Sequence, residues 1–148
     1  MIAEKIYAVF DQECRRNTRP RRAIAERLIE LAQSGGDFSM DDLWQDLRRR
    51  EPHLGRATVY RSVEMLVSAG LLDRIEFADG THRYRVCGSD EHHHHLTCTS
   101  CHCIVDVDVC IPTEQFAALS KQTNFSIEGH SITLFGRCAA CQARPANG

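Results

Sequence analysis

The stretch CGSDEHHHHLTCTSCHC, residues 87–103, sets four consecutive histidines in front of a Cys-x-x-Cys pair. It lies past the middle of the chain, whereas an appended purification tag sits at a terminus, so the histidines are read as native chemistry. If they form an extended segment running into Cys98, successive side chains point to opposite faces. His92 and His94 then share one face and His93 and His95 the other. The run becomes two bidentate pairs.

Working outward, Cys98-x-x-Cys101 is matched by Cys138-x-x-Cys141, with 36 residues between the two pairs. A tetrahedral zinc bound by four thiolates wants such pairs, because a two-residue spacer turns both sulfurs onto one ion. The intervening segment is longer than the spacer of a simple zinc ribbon, so it must hold structure of its own. Residues 103–109 (CIVDVDV) and 126–136 (SIEGHSITLFG) are expected as strands. Pro112 to Asn124 is expected as a helix with Phe116 and Leu119 inward. A structural zinc at Cys98, Cys101, Cys138 and Cys141 would staple the first strand to the chain end of a small α/β unit.

Each histidine pair needs partners. Asp73 and Cys87 flank a predicted hairpin and are expected to close on His93 and His95 across the joint between two modules. One thiolate, one carboxylate and two neutral imidazoles make a charge-neutral set for Zn2+, favouring a tetrahedral, sulfur-tolerant ion over octahedral iron or manganese. For His92 and His94 the candidate partners are Glu114 and His130. Cys14, His53, His82, His102, Cys103 and Cys110 are assigned no ligand role, although Cys103 and Cys110 both lie near the knuckle.

Upstream, the pattern changes to amphipathic helices. Ile2, Ile6, Val9 and Phe10 form one apolar face. A second helix starts at Thr18, buries Ile24, Leu28 and Leu31, and ends at Gly35-Gly36. Ser39 caps a third through Leu43, Trp44 and Leu47. A fourth, over residues 57–69, turns Val59, Val63, Leu66 and Val67 inward and leaves Arg56, Tyr60, Arg61 and Glu64 outside, a face suited to a major groove. In RIEFADGTHRYRV, residues 74–86, Ile75 and Phe77 alternate against Tyr84 and Val86 around Asp79-Gly80, a strong hairpin signal. Helices followed by this hairpin make a winged helix-turn-helix.

The net charge of −2 conceals an uneven distribution. Residues 1–86 carry 15 of the 18 Lys and Arg, whereas residues 87–148 carry seven of the eight Cys and six of the eight His. The fold class is therefore α+β, with an N-terminal winged-helix DNA-binding domain over 1–86 and a C-terminal metal-binding α/β domain over 87–148. RRNTRPRR, residues 15–22, places five arginines in eight residues without an acid, a local field able to hold phosphates. No apolar run reaches the roughly 20 residues of a membrane span, and no signal-peptide pattern opens the chain. The expectation is a cytoplasmic protein whose cysteines bind metal rather than form disulfides. Neither an H-E-x-x-H helix nor the deaminase pattern is present, which argues against a zinc enzyme.

Taken in order, TRPRRAI, LGRATVYRSVEML, DGTHRYRVC, HHHHLTCTSC and GHSITLFGRCAAC resemble the ferric uptake regulator superfamily over nearly the full length, and most of all its zinc uptake regulator branch. The resemblance implies a homodimer that binds a double-stranded DNA operator, with the C-terminal domain as the dimerisation domain and no small-molecule substrate. It implies regulatory zinc at Asp73, Cys87, His93 and His95, with a further site at His92, His94, Glu114 and His130. DNA contacts are expected from Arg19, Arg22, Arg56, Thr58, Tyr60 and Arg61. Control of zinc homeostasis genes is the implied function, and an iron- or peroxide-sensing regulator is the alternative. Iron- and peroxide-sensing members usually supply an oxygen ligand near Cys87, a histidine near Phe38 and an acid near Asp106. Phe38 cannot bind metal, whereas Asp106 is available.

Overall fold

A computed structural model describes residues 1–13, 18–87 and 92–144. Cys14, Arg15 and Arg16 lie outside the described residues. The chain divides into two compact units: Met1–Ile75 with His82–Asp90, and Glu76–Thr81 with Glu91–Gly148. No described helix is long and apolar enough to cross a membrane.

The first unit is built on four helices, α1 (Ile2–Glu13), α2 (Arg19–Ser34), α3 (Met40–Arg50) and α4 (Arg56–Ser68). Their inward positions form one core that includes Ile6, Phe10, Ile24, Leu28, Leu43, Leu47, Val59, Val63 and Leu66. The helix ends follow local chemistry. α2 stops where Gly35 takes φ 67°, a left-handed conformation that favours glycine, and its amide satisfies an α2 carbonyl. Ser39 and Asp42 form a reciprocal capping box at the start of α3. A bidentate pair from Arg50 to Glu30, both contacts at 3.0 Å, ties α3 to α2. With Arg50 and then Arg27 donating to it, Glu30 is held at a pKa of about 2.

The hairpin comprises β2 (Leu72–Glu76) and β3 (His82–Val86). Its turn closes through the Phe77 amide donating to the Thr81 carbonyl at 2.8 Å, with Gly80 at φ 84° and the Asp79 carboxylate accepting from the Thr81 amide and hydroxyl. A two-residue strand, β1 (Asp37–Phe38), adds to β3, giving the sheet order β1-β3-β2. No sequence signal pointed to β1. Phe38 is buried and stacks on Tyr84 at 5.8 Å, so the side chain that cannot ligate a metal is a core residue.

The second unit contains β4 (His94–Cys98), β5 (Ile104–Val107), α5 (Thr113–Thr123), β6 (Thr133–Gly136) and α6 (Ala139–Ala143). β4 is central in the order β5-β4-β6, antiparallel to β5 and parallel to β6. Two expectations need correction, and one element was not expected. The last strand occupies only 133–136 of the expected 126–136, because β4 begins at His94 and offers no ladder before the Ile132 carbonyl, which accepts from the His95 amide. Leu119 is 49% exposed rather than inward, and α5 buries no residue within this unit. The final Cys-x-x-Cys opens a short helix, α6, with Cys138 at its N-cap and Cys141 within it, which the spacing did not announce.

Candidate metal centres

The β4 ladder positions the four histidines of the run. His92 and His93 approach the strand, and His94 and His95 are its first, buried residues. Alternation sends them to two faces, as the rings record: His92 and His94 have centroids 4.5 Å apart, and His93 and His95 are 5.2 Å apart.

On the first face, His92 Nε2 lies 3.0 Å from His94 Nε2 and 2.9 Å from His130 Nε2. The β6 register explains His130. His95 pairs with Thr133, so extending that offset back to His92 arrives at His130, three residues before the strand. Phe116 of α5 packs on the His130 ring at 4.8 Å. Burial, then the neighbouring His92 and His130 rings, hold the His94 imidazole below its usual pKa, favouring the neutral form that ligates metals. Cys110 Sγ also enters, 3.1 Å from His130 Nε2 and 3.6 Å from His92 Nε2. Glu114, in the first turn of α5, is not part of this gathering.

On the second face, His93, His95 and Asp106 bring their ligand atoms within 4.8 Å of one another. Asp106 is directly opposite His95 across the β4–β5 ladder, and its Oδ1 is 3.7 Å from His95 Nε2. In the first unit, Asp73 on β2 and Cys87 just after β3 are half-buried, with carboxylate and thiol within 4.8 Å. The Cys87 amide donates to the Leu71 carbonyl at 3.0 Å, which fixes it beside the start of β2.

The knuckle gathers Cys98, Cys101, Cys103 and Cys138. Cys141 is buried on α6 and hydrogen-bonds to Cys138, which pushes its thiol up to about 11. Three backbone amides, of Cys101, Cys138 and Ser100, aim at Cys98 Sγ from 3.4–3.5 Å and lower its pKa to about 5. The turn that delivers them uses His102 at φ 61°, with its amide donating to the Cys98 carbonyl at 3.1 Å. A thiolate prepared by amide donors, among thiols that otherwise share protons, fits a divalent zinc of the structural kind. Cys103 thus stands with three of the four cysteines expected from spacing, held by its carbonyl accepting from the Cys98 amide at 3.0 Å, while Cys141 lies outside that group of four and meets it through Cys138.

The face of α4 expected to meet DNA exposes Arg56, Tyr60 and Arg61, with Thr58 half-buried. Arg56 pairs with Asp41 and lies 5.0 Å over the Trp44 ring. Arg19 pairs with Glu51 at 2.8 Å, and Arg22 is exposed in the first turn of α2.

Residues 12–135 match the Ferric uptake regulator family. The chain belongs to that family of metal-dependent, DNA-binding transcription regulators and is not an enzyme. It is 37% identical to the zinc uptake regulation protein of Mycobacterium tuberculosis over 86% of this chain and 95% of the relative. It is 29% identical to the ferric uptake regulation protein of Bacillus subtilis, over 84% and 85%. The peroxide operon regulator of Bacillus subtilis matches at 30%, over 87% and 86%. In fold, the chain resembles a zinc uptake regulator solved with zinc and DNA, with TM-score 0.65 and 24% identity over 96% of this chain and 95% of that one. It also resembles the ferric uptake regulator of Helicobacter pylori, with TM-score 0.64 and 20% identity over 97% and 94%.

Changing Cys138→Ser should remove one zinc per chain by elemental analysis and lower the melting temperature, because a closed thiolate site couples metal binding to folding. Unchanged zinc content together with unchanged melting would contradict a structural ion at the knuckle.

Proposed function

We propose that the chain is a zinc-responsive homodimeric regulator of zinc homeostasis genes, which binds its double-stranded DNA operator when zinc is held by Asp73, Cys87, His93 and His95. The observation that carries this reading is Cys87: a thiol set beside a carboxylate on the hairpin. Together with two neutral imidazoles they form a donor set whose two negative charges balance a divalent ion, and zinc accepts sulfur where iron and manganese sites favour oxygen and nitrogen. Phe38 supports the same choice, since its buried side chain offers no donor atom at that position. The 37% identity to a zinc uptake regulation protein supports it further.

Zinc when bound supplies fixed coordination; the residues do the rest. Asp73 and Cys87 belong to the hairpin and move with it, so holding them selects one arrangement of the DNA-binding unit. A tenfold gain in operator affinity needs a preference of only about 1.4 kcal/mol for that arrangement. On α4, Tyr60 and Arg61 are presented to base edges. Arg19 and Arg22, in the first turn of α2, suit phosphates, where the positive helix end adds to their charge. The carboxylate pairs of Arg19 and Arg56 are exposed and weak, so a phosphate can replace the acid.

A second reading, an iron or peroxide sensor, draws on one observation: His93, His95 and Asp106 form a nitrogen and oxygen set without sulfur. Metal dependence separates the two. Cys87→Ser should keep the fold and the knuckle zinc but lose most zinc-stimulated operator binding in a fluorescence titration. Unchanged zinc dependence would place sensing elsewhere.

DNA contacts divide by sequence dependence. Arg61→Ala should cost about 1 to 3 kcal/mol on the operator if it reads a guanine, with little change on random duplex. Arg22→Ala should weaken both duplexes alike and reduce the salt slope. Equal losses on operator and random DNA for both variants would contradict this division.

A further inference from the structure

We propose that Cys110, rather than Glu114, completes the ligand set of His92, His94 and His130, making this face of β4 a thiolate-containing zinc site that discriminates against manganese. The proposal rests on the zinc reading above only for the choice of ion.

The ladder brings Cys110 here. β5 runs antiparallel to β4 with His94 opposite Val107, so the chain leaving β5 passes alongside His92 before α5 begins at Thr113. The extended β6 register brings His130 to the same residue from the other side. Three segments thus meet at one strand end, each bearing a ligand side chain. Glu114 lies beyond Pro112, already within α5, where its backbone is committed to the helix.

The donor spacing fits one tetrahedral ion. With Zn–N near 2.0–2.1 Å and Zn–S near 2.3 Å, tetrahedral edges are about 3.3 Å for N···N and about 3.5 Å for S···N. The contacts are 3.0 and 2.9 Å between imidazole nitrogens and 3.1 and 3.6 Å from sulfur to nitrogen. A network of hydrogen bonds alone accounts poorly for the convergence. His92 Nε2 faces two other imidazole nitrogens and a sulfur, yet one ring nitrogen carries at most one proton. Coordination satisfies every lone pair at once and releases the thiol proton to solvent.

The chemistry sets the preference. Three imidazoles and one thiolate suit zinc, while manganese(II) favours oxygen-rich octahedral sets. Replacing a carboxylate by a thiolate at the fourth position therefore narrows the range of ions held. It also gives this face a chemical marker, because a metal-bound thiolate alkylates far more slowly than a free exposed one.

The test uses the full chain with its knuckle zinc in place. Iodoacetamide is added without added metal, with zinc chloride or with manganese chloride, and Cys110 alkylation is read by peptide mass spectrometry. Zinc should slow Cys110 alkylation about tenfold or more, and manganese should not. Protection should be lost in His130→Ala and kept in Glu114→Gln, and Glu114→Gln should bind as many zinc ions as the parent chain. Cys110 alkylating at one rate with and without zinc, or Glu114→Gln losing both the protection and one zinc, would overturn the proposal. Operator binding is measured on the same samples. Loss of zinc-dependent DNA binding with Cys110 still protected counts against the regulator reading alone, and the reverse result counts against this site alone.

Discussion

The second unit depends on the alternation of side chains along β4. A strand allows neighbouring residues no common face, so four identical histidines in sequence cannot serve one ion. The ladder then supplies each pair with different company. Asp106 is opposite His95 on β5, while His130 and Cys110 reach His92 from the approaches to β6 and from the exit of β5. The same strand ends in Cys98, whose sulfur receives three backbone amides. One five-residue strand thus borders three groups of side chains with metal-ligand chemistry, and each group is defined by which face or end of the strand it occupies.

Much of this was legible because the signals are local. Helix boundaries followed from Thr18, Gly35, Ser39 and the i, i+3, i+4 apolar positions, whose physics operates within one or two turns. Asp79-Gly80 marked the hairpin for the same reason. The histidine alternation needed only the assumption of an extended chain, and the Cys-x-x-Cys pairs needed only spacing. Features set by pairing between distant segments were hidden. β1 exists because Asp37 and Phe38 find Arg85 and Tyr84 of β3, and nothing in two residues announces it. The truncation of β6 follows from where β4 begins, and the exposure of Leu119 from what α5 has to pack against within its own unit.

The site residues divide along the same line. His92 to His95 and the knuckle cysteines declare themselves by adjacency or spacing. Cys110 and Asp106 acquire their places through the β4–β5 register, which the sequence leaves open by one or two residues. A register committed in advance, with His94 opposite Val107, would have brought Asp106 beside His95 and Cys110 to the end of the strand near His92. Glu114 entered the expectation through the family resemblance and its predicted helix, not through any strand pairing. The chemistry of zinc, which tolerates nitrogen, oxygen and sulfur at similar distances, makes donor type alone a weak guide to which of two nearby residues is used.

On the proposed reading the histidine run is two sites, one on each face of β4, with the knuckle as a third. Anomalous diffraction at the zinc edge, from crystals of the zinc-loaded chain, tests it directly. Three zinc peaks per chain are expected: one among the knuckle sulfurs, one among His92, His94 and His130, and a separate one against His93 and His95. A single peak shared by His93 and His94, or a histidine run with no peak on one face while the knuckle is filled, would contradict it.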